Sequence, residues 1–257
     1  MQTQDCTTTV NSVSALQQAL TQAQGNGQDD VICIQAGTYV VTQTLTYSTP
    51  DGDGRKKLTI KAVGGQVVLN GNQSVLIMRI DTDSDNSSNT SDEGASVTIE
   101  SITFQSGSST GDGGGLYLKT SRASITLNNN TFSGNNARES GGGAYAYSSS
   151  GNVTLTNNTF SNNTAQRDGG GAYVVLYSDQ ATANVYNNIF WQNTANAGGN
   201  DGDDLYIYSD VTYRNTPSFA NLYNNNFSEN ANFGSGRSED LFITLVQQGR
   251  YNHGGNI

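Results

Sequence analysis

The chain has 257 residues, a formal net charge of −10, only 13% charged side chains, 30 glycines and two prolines. That charge argues against nucleic acid and anionic membranes as partners, and no apolar run reaches the ~20 residues a membrane-spanning helix requires. The length suits one elongated β-rich domain over 1–257.

Met1 precedes a polar stretch, QTQDCTTTV, that reads as a start residue placed on a mature exported chain whose signal peptide has been removed. Cys6 and Cys33 are the only cysteines, an even count that predicts one disulfide, with two buried thiols as the alternative. Between them Val13, Leu16, Leu20 and Ala23 recur at helical spacing, with Ser12 or Ser14 as N-cap and Gly25 as stop. The strand-like DDVICIQAGTYVV follows, and helix, strand and AGTY turn together are similar to the N-terminal cap of pectin-lyase-like β-helices. Residues 1–44 are thus assigned to the cap and first coil.

Residues 45–96 read as irregular coils, with apolar pieces at 58–63, 67–71 and 75–80 interrupted by polar loops at 49–57 and 81–94. In the second loop Asp81, Asp83 and Asp85 alternate as in calcium-binding loops, with Asp92 at the twelfth position. Asn86, however, occupies the place of the sharp-turn glycine and no helices flank the loop, so a solvated loop is the competing assignment.

Residues 97–245 carry the strongest signal. A phenylalanine recurs at Phe104, Phe132, Phe160, Phe190 and Phe227, in steps of 28, 28, 30 and 37 residues. Such a period marks a solenoid. Seven residues before each Phe stand Val97, Ile125, Val153, Ala183 and Ala220, and five before stand Ile99, Leu127, Leu155, Val185 and Leu222, with Thr or Asn between them. Period-two alternation means strands with one buried face, and stacking one coil per repeat gives a single-stranded right-handed parallel β-helix, all-β apart from the short capping helix. From Phe132 onward, Asn stands three and two before and three after each Phe. These columns predict left-handed turns and hydrogen-bonded ladders.

FSGNNA, FSNNTA and FWQNTA, together with the neighbouring GGGxY pieces, resemble the FxxN and GGA-type repeats of polymorphic outer-membrane proteins and related secreted β-helix proteins. The resemblance covers residues 97–245 and implies a surface or secreted domain, often the passenger of an autotransporter or an adhesin.

The second strand of each coil has apolar residues flanking an aromatic: Tyr117, Tyr145, Tyr173, Tyr206 and Phe242. If the flanks face the core, these rings and Tyr147 and Tyr208 line the outside, as a platform for a glycan or a cell-surface protein or as structural stacking. Ahead of this stripe lie carboxylates, with Asp112, Asp168 and Asp201 five residues before the aromatic, and Asp203, Asp204, Glu239 and Asp240 in place of the glycine pair of earlier copies. The latter four suit Ca²⁺ or simply screened surface charge. Asp201, Asp203, Asp204 and Asp240 are also the candidates for a carboxylate pair of polysaccharide hydrolysis. The sole histidine, His253, lies in the segment 246–257, assigned as a tail, and no companion motif supports hydrolysis.

The sequence therefore predicts a non-catalytic, extracellular or cell-surface binding or adhesion module that requires no cofactor and accommodates Ca²⁺. A calcium-dependent carbohydrate-active enzyme and a plain structural stalk are the alternatives.

Overall fold

The computed structural model describes residues 5–49, 52–83, 94–177, 181–196, 202–210, 219–227, 241–246 and 250–254. The chain winds as a parallel β-solenoid. In a representative coil, strand Ile125–Asn128 turns at Asn129 and Asn130 into Thr131–Ser133, then at Gly134 and Asn135 into the short strand Asn136–Ala137. A glycine-rich loop leads to Ala144–Ser148, and the next coil begins at Val153.

Each strand pairs in parallel with its equivalent one coil away, so the columns read from the sequence are physical stacks. Ile125 lies between Val97 and Val153, and Phe132 between Phe104 and Phe160. The rings of Phe104, Phe132, Phe160, Phe190 and Phe227 form a buried pile, with centroids 5.0, 4.7, 4.8 and 5.0 Å apart and planes within 8° of parallel.

The corners are built from asparagine. Asn129, Asn157, Asn187 and Asn224 hold left-handed backbone, with φ of 59°, 58°, 56° and 54°, a conformation Asn reaches at lower cost than most residues. The following residues, Asn130, Asn158, Asn188 and Asn225, are buried. The Oδ1 of Asn158 accepts from the backbone N–H and Nδ2 of Asn130, while its own Nδ2 donates to Leu127 O and to Asn188 Oδ1. Asn135, Asn163 and Asn193 repeat the arrangement at the second corner. Between coils, the glycines before the second strand are demanded by close approach. A Cβ on Gly142 would lie 2.3 Å from Gly170 O and 2.5 Å from Thr164 O.

At the N-terminal end, a helix over Val13–Ala23 is capped by Ser12, whose Oγ accepts from Ala15 N–H. It buries Leu16, Ala19, Leu20 and Ala23 against the first coils. Gln17 exchanges two hydrogen bonds with the backbone of Thr46, tying helix to strand. Cys6 and Cys33 form a disulfide.

Three segments differ from the sequence-based expectation. The expected loop at 49–57 holds a single helical turn, Gly52–Arg55. The pieces at 58–63 and 67–71 belong to one strand, Leu58–Asn70, because an irregularity in its pairing with Asp30–Val40 lets the chain continue through Gly64 and Gly65. Within the expected tail, Arg250–Gly254 is a strand pairing with Phe219–Tyr223, so the stack goes one rung further.

Asn158→Ala orphans the buried N–H of Asn130 and removes the partner of Leu127 O. Equilibrium unfolding is expected to register a loss of about 3 kcal/mol. Asn157→Gly, at an exposed left-handed position one residue earlier, is expected to stay within about 0.5 kcal/mol of the parent. Reduction of Cys6–Cys33 is expected to remove about 3–4 kcal/mol, the loop-closure entropy for its 27-residue separation.

Candidate functional site

The sheet containing Met78–Asp81, Leu116–Thr120, Ala144–Ser148, Ala172–Leu176 and Leu205–Asp210 carries the aromatic residues. Leu116, Ala144, Ala172 and Leu205 face inward, Tyr117, Tyr145 and Tyr173 are partly exposed on the opposite side, and Tyr206 stands in the same column but is buried. These four tyrosines stand in register, with Arg79 completing the column one coil earlier. The Arg79 guanidinium lies 3.9 Å from the Tyr117 ring centroid, a cation–π contact that closes the N-terminal end of the stack.

Ring orientation decides what this face can offer. Tyr117 and Tyr145 are stacked 5.1 Å apart at 5°, whereas Tyr145–Tyr173 and Tyr173–Tyr206 are tilted by 41° and 56° at 5.5 and 5.0 Å. The π faces are largely spent on neighbouring rings. Ring edges and the hydroxyls of Tyr145 and Tyr173 are what remain for a ligand. Among the described residues, the hydroxyls of Tyr145 and Tyr173 have no hydrogen-bond partner.

A second column runs alongside, through Asp81, Lys119, Tyr147, Val175 and Tyr208. Val175 is buried, and Tyr177, half exposed, inserts between Tyr147 and Tyr208 with ring centroids 5.8 and 6.2 Å away. Neither Arg79 nor Tyr177 was singled out from the sequence. MRID aligned on LYLK would have revealed Arg79, but Tyr177 follows the alternation-breaking VVL of its strand.

Burial pushes the phenols up. Tyr147 rises to about 12, Tyr117 rises, and Tyr145 and Tyr173 rise furthest, with the Asp112 charge adding to burial at Tyr145 and that of Asp168 at Tyr173. Burial also raises Asp112, against the opposing hydrogen bond that its Oδ1 accepts from Ser140 N–H at 2.9 Å. Glu139 beside it pairs with Arg167 at 2.8 Å.

The other candidate acids fall into separate places. Asp81 and Asp83 are buried around the Lys119 ammonium, whose Nζ is 3.9 Å from Asp81 Oδ1, 3.4 Å from Asp83 Oδ2 and 2.9 Å from Asp83 O. Asp204 is fully buried, and its Oδ1 accepts from Asn193 Nδ2 at 2.7 Å, where the ladder would otherwise continue to another Asn. Asp203 Oδ1 accepts from Ala195 N–H. Asp85, Asp201, Glu239 and Asp240 lie outside the described residues. Among the described residues, no group of three or more His, Cys, Asp or Glu side chains gathers to hold a metal ion, and no helix is long and apolar enough to cross a membrane.

In comparisons with known proteins, no protein-family model matches the chain, and neither a curated protein nor a solved structure does.

The raised phenols define an alkaline limit. A phenol whose folded pKa exceeds its unfolded value of ~10 contributes stability that is fully present below pH ~10 and is lost as pH climbs through the folded value. Phenolate absorbance from the partly buried Tyr117, Tyr145, Tyr147 and Tyr173 is therefore expected only together with loss of β-sheet circular dichroism, with Tyr147 ionising near pH 12. Ionisation of these four near pH ~10 with the fold intact would contradict their burial.

Proposed function

We propose that the chain is an exported, non-catalytic binding module, and that its tyrosine face takes an extended neutral glycan lying along the solenoid axis. The observation that carries this is the column of outward tyrosines whose hydroxyls at Tyr145 and Tyr173 lack protein partners. A hydroxyl both donates and accepts, so two of them one coil apart suit a polymer with a repeating pattern of its own hydroxyls. Asp112 and Asp168 beside the column favour neutral over uronate-rich chains.

Export is supported by the Cys6–Cys33 disulfide, which fits an oxidising, non-cytoplasmic compartment. The likeness of the FxxN and GGG motifs to polymorphic outer-membrane protein repeats favours a cell-surface adhesive role. The alternative of a calcium-dependent lyase or hydrolase would draw on Asp203 and Asp204. The carboxylate of Asp204 is engaged inside the solenoid by Asn193.

The test is retention on a panel of neutral and acidic polysaccharides, with product release followed in parallel. The double variant Tyr145→Phe with Tyr173→Phe keeps the rings and removes the hydroxyls. It is expected to weaken retention by roughly 10-fold, at about 0.5–1.5 kcal/mol per hydrogen bond, with the melting temperature unchanged. Equal retention by parent and double variant would refute the hydroxyl contacts, and cleavage of any polysaccharide would refute the non-catalytic assignment.

A further inference from the structure

The second corner of each coil holds a left-handed residue: Ser106, Gly134, Asn162 and Gln192, with φ of 54°, 62°, 54° and 53°. Three of these carry polar side chains on the outside of the corner. Gly134 carries none, and a Cβ built there would meet nothing within 4 Å. One missing side chain in a column of otherwise regular corners leaves a notch.

That notch has a volume of 270 Å³. Gly134 lines it together with Gln73, Ser108, Asn136, Asn162 and Thr164, which form its walls. Ser108, Asn136 and Thr164 are held in register by the short parallel strands they begin, so these walls are fixed at the coil spacing. Asn135, beneath them, is committed to the buried ladder. The walls offer three carboxamides and two hydroxyls. They carry no charge, in a chain with ten excess negative charges.

This chemistry is selective. An ion finds no counter-charge, and an apolar group would strand amide and hydroxyl groups without partners. Carboxamides present a donor and an acceptor side by side, and hydroxyls do both. The natural complement is a small neutral molecule dense in hydroxyls. We propose that the Gly134 notch is a binding site for one neutral sugar unit, separate from the tyrosine face. The notch belongs to the corner before the short-strand sheet, whereas the tyrosines belong to the sheet that follows it in the coil, so the proposal stands whether or not the tyrosine face binds glycan.

The experiment is a two-dimensional amide NMR titration of the full chain with neutral monosaccharides: glucose, galactose, mannose and N-acetylglucosamine. At least one is expected to shift the amides of Ser108, Gly134, Asn136 and Thr164 saturably, with a millimolar Kd typical of a few hydrogen bonds. Gly134→Asn fills the notch with the residue that Asn162 places at the same corner one coil on, in the same left-handed backbone. It is expected to abolish the shifts at unchanged melting temperature. Thr164→Val, which keeps the strand and removes one hydroxyl, is expected to weaken binding by about 3-fold and supplies the test if Gly134→Asn unfolds. The Tyr145→Phe, Tyr173→Phe double variant is expected to titrate like the parent. Absence of saturable shifts with all four sugars, shifts confined to the tyrosine face, or shifts that survive both notch variants would overturn the proposal.

Discussion

A chain that coils into a tube must turn corners, and each corner leaves backbone amides inside the wall where water cannot reach them. An unpaired buried amide costs on the order of 1–3 kcal/mol, so a solenoid with several corners per coil is viable only if something answers those amides. Here the answer is the asparagine side chain. Asn130 Oδ1 accepts from Ile102 N–H, Asn135 Oδ1 from Gly107 N–H, and their equivalents do the same in later coils. Because each amide group also reaches the next coil, corner and stacking are secured by the same atoms.

This explains why coil length varies while register does not. The steps between successive Phe residues are 28, 28, 30 and 37, yet Phe132, Phe160 and Phe190 pair in register. Extra residues are absorbed between the pinned corners, where they cost little closure entropy. The same pinning fixes the outward tyrosines one coil apart, so this wall presents equivalent groups at successive coils. Such a surface offers many similar weak contacts along its length.

Much of the architecture was legible before any coordinates. Alternation across Val97, Thr98 and Ile99, repeated in every copy, specifies a strand and its buried face. Asn at left-handed corners, with a second Asn beside it, specifies the ladder. Other features were hidden for physical reasons. Asp204 looks like surface charge in sequence, but it follows the column of Gly143 and Gly171, and its carboxylate turns inward to meet Asn193; only the stacked neighbour reveals that demand. Alternation shows that Tyr145 points outward, but side-chain torsions decide whether its faces or its edge meet solvent. The strand at Arg250–Gly254 carries one histidine, one tyrosine and three glycine or polar residues. It pairs through its backbone, which leaves no hydrophobic pattern to read.

The ladders also have a direction. In each of them the Nδ2 donor of one coil points to the Oδ1 of the following coil, from Asn130 to Asn158, Asn188 and Asn225, and from Asn135 to Asn163 and Asn193. Aligned amides add head to tail, as peptide dipoles do along a helix, so the two ends of the solenoid are electrically unlike. The positive end of the second ladder meets the carboxylate of Asp204. An acceptor there receives the end of an accumulated polarisation that no single repeat possesses, and so the stack distinguishes the coil at which this ladder stops from those before it.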